Sequence, residues 1–271
     1  MASGATGSGS RWHTAELVVA IERISRAQLL EWVLHEADAF METLARPTVY
    51  VVEGFYPRER VLALRAYAQR LAGREPPSWH PCVDGVPDYH RINDEYPRSW
   101  VKARMHSYYF HRFNERGHLF DSFKEIFDLK HFLAGEEPDR FLETLPSDEV
   151  ISRVVSHQYP RGGGYLAEHM DPASRFARLQ TIIQASTPGE DFQTGGLYLR
   201  TGEGAEPISI DAHSEPGDLM VLSPDVRHGV APIDPDAELD WSRDDGRWMI
   251  LPIILRSDYN MDPDTKPKAV A

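Results

Sequence analysis

His169 and Asp171 lie two residues apart, a spacing at which an imidazole and a carboxylate can reach one metal ion. On a β-strand, residues i and i+2 face the same side, and we expect a strand here. A third ligand must come from elsewhere, and His228, which follows an apolar segment and a turn at Pro224-Asp225, is the best candidate. Two histidines and one carboxylate cover one face of an octahedron and leave three positions open, which favours Fe(II) and reactions with dioxygen.

Glycines at the entrances of predicted strands support this interpretation. The spacing of His169 and Asp171 is weak evidence for a metal site by itself, because a chain with 12 histidines and 42 acidic residues contains such spacings by chance. A glycine turn at residues 162–164 can deliver the chain into the strand that carries His169. Gly195-Gly196 precedes a second strand, and Gly217 opens the strand that leads to His228.

The same region resembles the superfamily of 2-oxoglutarate/Fe(II)-dependent dioxygenases, which includes phytanoyl-CoA hydroxylase-like and prolyl hydroxylase-like enzymes. The segment YPRGGGYLAEHMD, residues 159–171, is similar to the iron-binding entry of these enzymes. Four further segments resemble motifs of this family. TGGLYL (194–199) resembles its Gly-Gly strand, and GDLMVLSPDVRHGV (217–230) resembles its second-histidine block. DGRWMI (245–250) resembles its arginine-bearing strand, and VVEGFYP (51–57) its N-terminal entry. The resemblance covers residues 150–256 well and the N-terminal half loosely.

This resemblance implies a double-stranded β-helix, the jelly roll of cupin-like proteins. It implies Fe(II), 2-oxoglutarate and dioxygen as cofactor and cosubstrates, with His169, Asp171 and His228 as the metal ligands. In such enzymes, decarboxylation of the oxoacid supplies an oxidant that takes hydrogen from a substrate C–H bond. Hydroxylation, desaturation or ring closure follows. Halogenating relatives carry Ala or Gly at the carboxylate position, so Asp171 implies insertion of oxygen instead.

The resemblance also places the carboxylate anchor of the cosubstrate at Arg247 and a second donor at Tyr159. A planar guanidinium suits a carboxylate, and Arg247 begins an apolar strand that would direct its charge inward. Arg243 or Arg256 could take this role instead. Tyr159 could equally be a core aromatic residue with a satisfied hydroxyl.

Other polar residues have less defined roles. Gln180 and Gln184 lie on an otherwise apolar strand, so they could contact the cosubstrate or hydrogen-bond to the backbone. His106 and His111 are five residues apart and would face opposite sides of a strand, which argues against a shared metal. One of them could line the substrate pocket. His157 has no carboxylate at a suitable spacing, and we predict a structural role for it.

The organisation of the chain changes near residue 150. Before it we expect helices at 14–44, 57–73 and 120–133, strands at 48–52 and 100–113, and a long loop, which could cover a site, at 74–98. After it we expect short strands at 151–159, 179–184, 196–199, 208–210, 218–222 and 247–255. This rhythm favours an all-β core with flanking helices, in the α+β class.

We therefore expect two parts of very different size. Residues 1–12, rich in Gly, Ala and Ser, read as a flexible tail, and residues 13–271 as a single oxygenase domain. Within the domain, residues 13–149 would provide helices and a lid region, and residues 150–256 the β-helix core. A chain of 271 residues can bury a core of this size.

Composition restricts the partners. The formal net charge of -13 argues against nucleic acid, because phosphate binding needs basic surface. The same charge permits a cationic small substrate, although solubility alone could explain it. The sequence has no apolar stretch that approaches a membrane span. The single cysteine, Cys82, allows no internal disulfide, which favours a reducing, cytoplasmic location.

The expected function is oxidation of a C–H bond in a small molecule, in the context of natural product biosynthesis, with a cationic compound or amino-sugar as a candidate substrate. Three alternatives stay open. They are an amino-acid hydroxylase of the same family, a cupin-like module that binds metal without redox chemistry, and a zinc hydrolase with a similar ligand set. An arginine after the second histidine argues against a simple metal-binding module, since such a site needs no oxoacid anchor.

Overall fold

The computed structural model describes residues 20–46, 48–79, 88–96, 99, 101–112, 119–140, 142, 150–172, 174–202 and 204–256. In these ranges the helices are Arg26–His35 (α1), Ala37–Leu44 (α2), Arg58–Ala72 (α3) and Leu119–Ala134 (α4). The strands are Ala20–Ile24 (β1), Thr48–Val52 (β2), Asp88–Ile92 (β3), Ala103–His111 (β4), Val150–Tyr159 (β5), Gly164–His169 (β6), Gln180–Gln184 (β7), Gly196–Arg200 (β8), Ile208–Ser209 (β9), Leu219–Leu222 (β10), Arg227–Ile233 (β11) and Arg247–Arg256 (β12).

Strands β5 to β12 form a jelly roll. Consecutive strands lie in opposite sheets, except β8 and β9, which pair with each other. The first sheet has the order β10-β7-β12-β5 and the second has the order β6-β11-β8-β9, with every neighbour antiparallel. The predicted double-stranded β-helix is therefore confirmed.

The N-terminal half extends the first sheet at both edges. Beside β10 lies β2, and β1 pairs in parallel with β2. At the other edge β4 pairs with β5, and β3 pairs with β4. The start of β4, at Ala103 and Arg104, also pairs with β6, so one strand connects the two sheets along this side.

Two apolar cores account for the runs of apolar residues in the strands. Between the sheets, residues such as Ile182 and Leu251 pack against the second sheet. On the outer face of the first sheet, their neighbours Ile183 and Ile250 pack against the helices, including Phe127 of α4. Because successive side chains point to opposite faces, a strand covered on both sides is apolar at every position. Among the described residues, none of the helices combines the length and apolar character of a membrane span.

The predicted helix over residues 14–44 is wrong in two respects. Residues 20–24 form β1 instead of helix, and the helical part is divided at Glu36 into α1 and α2. Ser25 is the reason that the helix begins late, because its hydroxyl accepts from the backbone N–H of Gln28 while the Gln28 side chain accepts from the Ser25 N–H. This reciprocal capping box fixes a helix start. Residues 14–19 lie outside the described ranges.

The predicted long loop over residues 74–98 is also partly wrong, since β3 lies within it. Residues 80–87 and 97–98 fall outside the described ranges, as does the predicted tail at 1–12. Strand β11 is not among the predicted strands, because the sequence analysis described the segment with His228 only as the one that follows the turn at Pro224-Asp225. The other predicted helices and strands are present, with ends that differ by a few residues.

Candidate metal centre

His169, Asp171 and His228 meet at one point in the structure. Each offers a ligand atom, and these atoms all lie within 4.8 Å of one another. The Nε2 atom of His169 is 3.5 Å from Oδ1 of Asp171, and Nε2 of His228 is 3.4 Å from Oδ2. The two imidazole centroids are 4.4 Å apart. Among the described residues, no other group of three His, Cys, Asp or Glu side chains has this arrangement.

Adjacent strands of the second sheet place the two histidines. His169 ends β6 and lies directly opposite His228 of β11. Asp171 lies beyond the end of β6, so its position does not come from the strand alternation that the sequence suggested. Its backbone N–H donates to the carbonyl of Pro224, at 2.8 Å, in the turn that precedes β11. The turn thus holds the carboxylate beside both imidazoles.

Backbone carbonyls fix the orientation of both imidazole rings. Nδ1–H of His169 donates to the carbonyl of Ala167 at 2.9 Å, and Nδ1–H of His228 donates to that of Val226 at 2.8 Å. A neutral ring whose proton is held at Nδ1 presents a lone pair at Nε2. Both Nε2 atoms face Asp171, so the site offers two nitrogen ligands and one oxygen ligand in a fixed arrangement.

The electrostatics of the three groups fit a cation. Burial alone would raise the pKa of Asp171, but its interactions with the imidazoles of His169 and His228 lower it well below its usual range. For His228, burial would lower the pKa, yet the hydrogen bond and charge of Asp171 raise it. The carboxylate therefore stays ionised and attracts positive charge to the point where the ligand atoms meet. Gln180, a predicted cosubstrate contact, instead donates its Nε2–H to Oδ2 of Asp171.

Arg247 is fully buried at the start of β12, opposite Tyr159 of β5. Its Nε and Nη2 donate to the carboxylate of Asp211 at 2.6 and 2.8 Å. Its third nitrogen, Nη1, has no hydrogen-bond partner. Asp211 was not among the residues predicted from the sequence. Its partner Arg247 lies 36 residues further along the chain, and no short sequence motif connects the two.

Unsatisfied polar atoms surround this guanidinium. The hydroxyl of Tyr159 lacks a partner, and the ring centroid of Tyr159 lies 5.7 Å from the guanidinium carbon of Arg247. Gln184 donates to Asp211 at 3.3 Å, while its Oε1 is also unpartnered. Buried polar atoms without partners are rare and costly. A ligand carboxylate within reach of Arg247 Nη1 and the Tyr159 hydroxyl would give both of these donors an acceptor.

His157, for which we predicted a structural role, is affected by the charges of both groups of residues. It is two positions before Tyr159 on β5, and its Nδ1 shares a hydrogen bond of 2.7 Å with the hydroxyl of Ser107. Burial lowers the pKa of His157 to about 3, assisted by the charge of Arg247 and opposed by that of Asp171. The imidazole is therefore neutral and close to both the metal ligands and the arginine.

The remaining candidates lie apart from this centre. His106 hydrogen-bonds through Nδ1 to Gln158, and His111 accepts from Arg153, so the two histidines serve different networks. Arg243 is exposed and paired with Asp245. The side chain of Arg256 and the whole of Cys82 are outside the described part of the chain.

No protein-family model matches this sequence, and a search of curated proteins gives no match either. Solved structures do match. A Pseudomonas putida prolyl-4-hydroxylase is 17% identical over 80% of this chain and 97% of its own, with a TM-score of 0.48. An oxidoreductase of the 2OG-Fe(II) oxygenase family from Burkholderia pseudomallei is 14% identical over 81% and 90%, with a TM-score of 0.45. The non-heme alpha ketoglutarate dependent epimerase SnoN from nogalamycin biosynthesis is 16% identical over 80% and 83%, with a TM-score of 0.44.

Proposed function

We propose that this protein is a 2-oxoglutarate- and Fe(II)-dependent oxygenase that oxidises a C–H bond of a small molecule. The observation that carries the proposal is the convergence of His169, Asp171 and His228 inside a jelly roll. Two histidines and one carboxylate on one face of a metal leave room for an oxoacid and dioxygen, which is the arrangement of non-haem iron oxygenases.

The buried arginine separates this function from the alternatives. A zinc hydrolase could use the same three ligands, and a cupin-like module could hold a metal with them. Neither needs Arg247 beside the site with an unpartnered Nη1, nor the unpartnered hydroxyl of Tyr159. An oxoacid that chelates iron at one end and carries a second carboxylate at the other needs both donors.

Each of these residues then has a distinct role in binding the metal or the cosubstrate. His169, Asp171 and His228 hold iron, and Arg247 with Tyr159 binds the distal carboxylate of 2-oxoglutarate. When iron and the oxoacid are bound, oxidative decarboxylation supplies the oxidant for the substrate C–H bond. The anionic oxygen of Asp171 occupies a ligand position that a halide would otherwise take, so the product should gain oxygen or lose two hydrogens.

We also propose a substrate class, a domain organisation and a cellular location for this protein. With a net charge of -13, a cationic natural product or amino-sugar is the first candidate and a free amino acid the alternative. We further propose that residues 13–271 form one catalytic domain with its β-helix core at 150–256. We also propose a cytoplasmic location, which the single cysteine supports.

Succinate formation tests the function. Protein prepared without oxygen is loaded with Fe(II) and 2-oxoglutarate, oxygen is admitted, and succinate is measured with amino-sugars, other cationic natural products and free amino acids. We expect His169→Ala, Asp171→Ala and His228→Ala to abolish turnover. The control His213→Ala changes an exposed histidine and should behave as wild type. A ligand variant with wild-type turnover at low iron would remove that ligand from the site. Metal binding without any binding of 2-oxoglutarate would favour the cupin-like module.

A further inference from the structure

The carboxylate of Asp211 is one of the most completely bonded groups near the site. It lies in a 3-10 turn, Asp211–His213, and is 2% exposed. Besides the two bonds from Arg247, its Oδ2 accepts from the backbone N–H of Leu197 at 2.7 Å, and its Oδ1 accepts from Gln184 at 3.3 Å. Strands β7, β8 and β12 thus each contribute a donor to this one carboxylate.

Gly196 provides the space that Asp211 occupies. A Cβ atom at Gly196 would lie 2.4 Å from Oδ2 of Asp211, closer than any side chain allows. The φ angle of Gly196 is +112°, a conformation that other residues avoid. The backbone of β8 is therefore shaped around the acid that holds the arginine.

Two consequences follow for Arg247. First, a buried cation needs a counter-charge. Asp211 supplies that counter-charge. Burial acts to lower the pKa of Arg247, but the charge and hydrogen bonds of Asp211 outweigh it and raise the pKa above its usual value. Second, the guanidinium is planar, so fixing Nε and Nη2 also fixes the direction of Nη1. Nη1 is the nitrogen left without a partner.

We propose that Asp211 is a positioning residue for the cosubstrate: it acts through Arg247, whose Nη1 it aims at the distal carboxylate of the oxoacid. This inference rests on the proposed function. Because the charges of Arg247 and Asp211 cancel, the pocket recognises a carboxylate by the placement of donors more than by net positive charge. Such a pocket discriminates strongly between a 2-oxo acid that places a carboxylate at Nη1 and a metal chelator that has none there.

Binding to the Mn(II)-loaded protein tests the proposal without turnover. Calorimetry compares 2-oxoglutarate with oxalate, which chelates a metal but has no distal carboxylate. In Asp211→Asn we expect the affinity for 2-oxoglutarate to fall at least about tenfold and that for oxalate to stay within about twofold. The control is Asp234→Asn, which changes another buried acid, one that pairs with Arg161 at 2.6 Å. Its two affinities should both match wild type.

The outcomes are distinct. If wild type binds oxalate but gains nothing from the distal carboxylate of 2-oxoglutarate, the proposed function fails. If wild type shows the preference and Asp211→Asn keeps it, only the role of Asp211 fails. A loss of oxalate binding as large as that of 2-oxoglutarate would also overturn it, since a general structural defect moves both ligands.

Asp211→Asn could also fail to fold, because it leaves Arg247 buried without its counter-ion. The double variant Asp211→Asn/Arg247→Met then decides. Recovery of the fold supports the pairing of the two residues, because Arg247→Met removes the buried cation that Asp211→Asn leaves without a counter-ion. A double variant that is equally unfolded shows that Asp211 serves the fold independently of Arg247, and it overturns the proposal.

Discussion

At the scale of single residues, the protein buries several charged side chains. Arg247 is fully buried, Asp211 is nearly so, and Lys130 of α4 is 4% exposed. Burying a charge is expensive unless partners compensate for it. Arg247 has such a partner in Asp211, whereas the Nζ atom of Lys130 makes one long hydrogen bond, 3.5 Å to the carbonyl of Leu179. These two cations therefore lead to opposite predictions.

Arg247→Met should weaken 2-oxoglutarate binding while leaving Mn(II) binding unchanged. Losing a charge-assisted pair to a buried carboxylate costs about 2 to 4 kcal/mol, a factor of roughly 30 to 1000 in affinity. Calorimetry with the Mn(II)-loaded protein measures both steps. Arg243→Met, at an exposed arginine paired with Asp245, is the matched control. If affinity falls in the Arg243 variant and not in the Arg247 variant, the anchor has been assigned to the wrong arginine.

Lys130→Met should make the protein more stable at neutral pH. Burial lowers the pKa of Lys130 from 10.5 to about 8, with the charge of Asp171 opposing this shift. Between those two pH values the unfolded chain binds a proton that the folded chain does not, so the free energy of unfolding of the wild type rises with pH across this window. Below it, the wild type bears a penalty of up to about 3 kcal/mol.

Urea unfolding at pH 7 and at pH 10 measures this penalty. The advantage of Lys130→Met over wild type should be largest at pH 7 and shrink by pH 10. Lys124→Met, at a partly exposed lysine paired with Asp128 and Asp139, should show no such advantage. An advantage of Lys130→Met that is the same at both pH values would contradict the lowered pKa.

At the scale of secondary structure elements, the start of β8 depends on Gly196. Gly196→Ala would place a methyl group against Asp211 and force an unfavourable φ angle. We expect a loss of at least about 2 kcal/mol in the free energy of unfolding, together with weaker 2-oxoglutarate binding. Denaturant midpoints measure the first effect. Gly202→Ala is the control, because a Cβ there meets nothing within 4 Å. Equal midpoints for the two variants would show that β8 can shift at no cost.

The elements that could be predicted from sequence are those with a one-dimensional signal. Strand β12 is an apolar run because both of its faces are covered, and β2 has the same character. Strands β1 and β3 escaped prediction because they are edge strands with mixed polarity, AIERI and DYHRI. Their conformation comes from pairing with β2 and β4, which lies outside any local pattern.

The residues of the candidate site also differ in whether a local sequence pattern reveals them. His169 and Asp171 could be found because their spacing is short, and His228 because a glycine-led strand and turn precede it. Asp211 could not be found, since its partner Arg247 lies far along the chain and only the jelly roll joins them. For His157 the sequence predicts a structural role, because it shows no carboxylate at a suitable spacing. The fold brings the charges of both Asp171 and Arg247 to it.

At the scale of the whole molecule, metal binding should raise the thermal stability. A ligand that binds only the folded state adds about 2.7 kcal/mol at a concentration near 100 times its Kd, which corresponds to roughly 5 to 10 °C in Tm for a chain of this size. The increase with Mn(II) should vanish in His228→Ala and persist in His213→Ala. It should also diminish as the pH falls, because Asp171 raises the pKa of His228 and a protonated imidazole cannot bind metal. An equal increase in His228→Ala would place the ion elsewhere.

The pairing of His169 with His228 has a consequence for the order of folding. The two residues face each other across β6 and β11 but are separated by about 60 residues of chain, so the closing of a long loop must precede their meeting. No shorter segment of the chain holds both imidazoles, so we expect a metal ion to gain its full set of ligands late, after the second sheet has paired. Contacts that form after the transition state slow unfolding and leave the folding rate unchanged. The ion would therefore mainly slow unfolding and so lengthen the lifetime of the folded chain, with little effect on the folding rate.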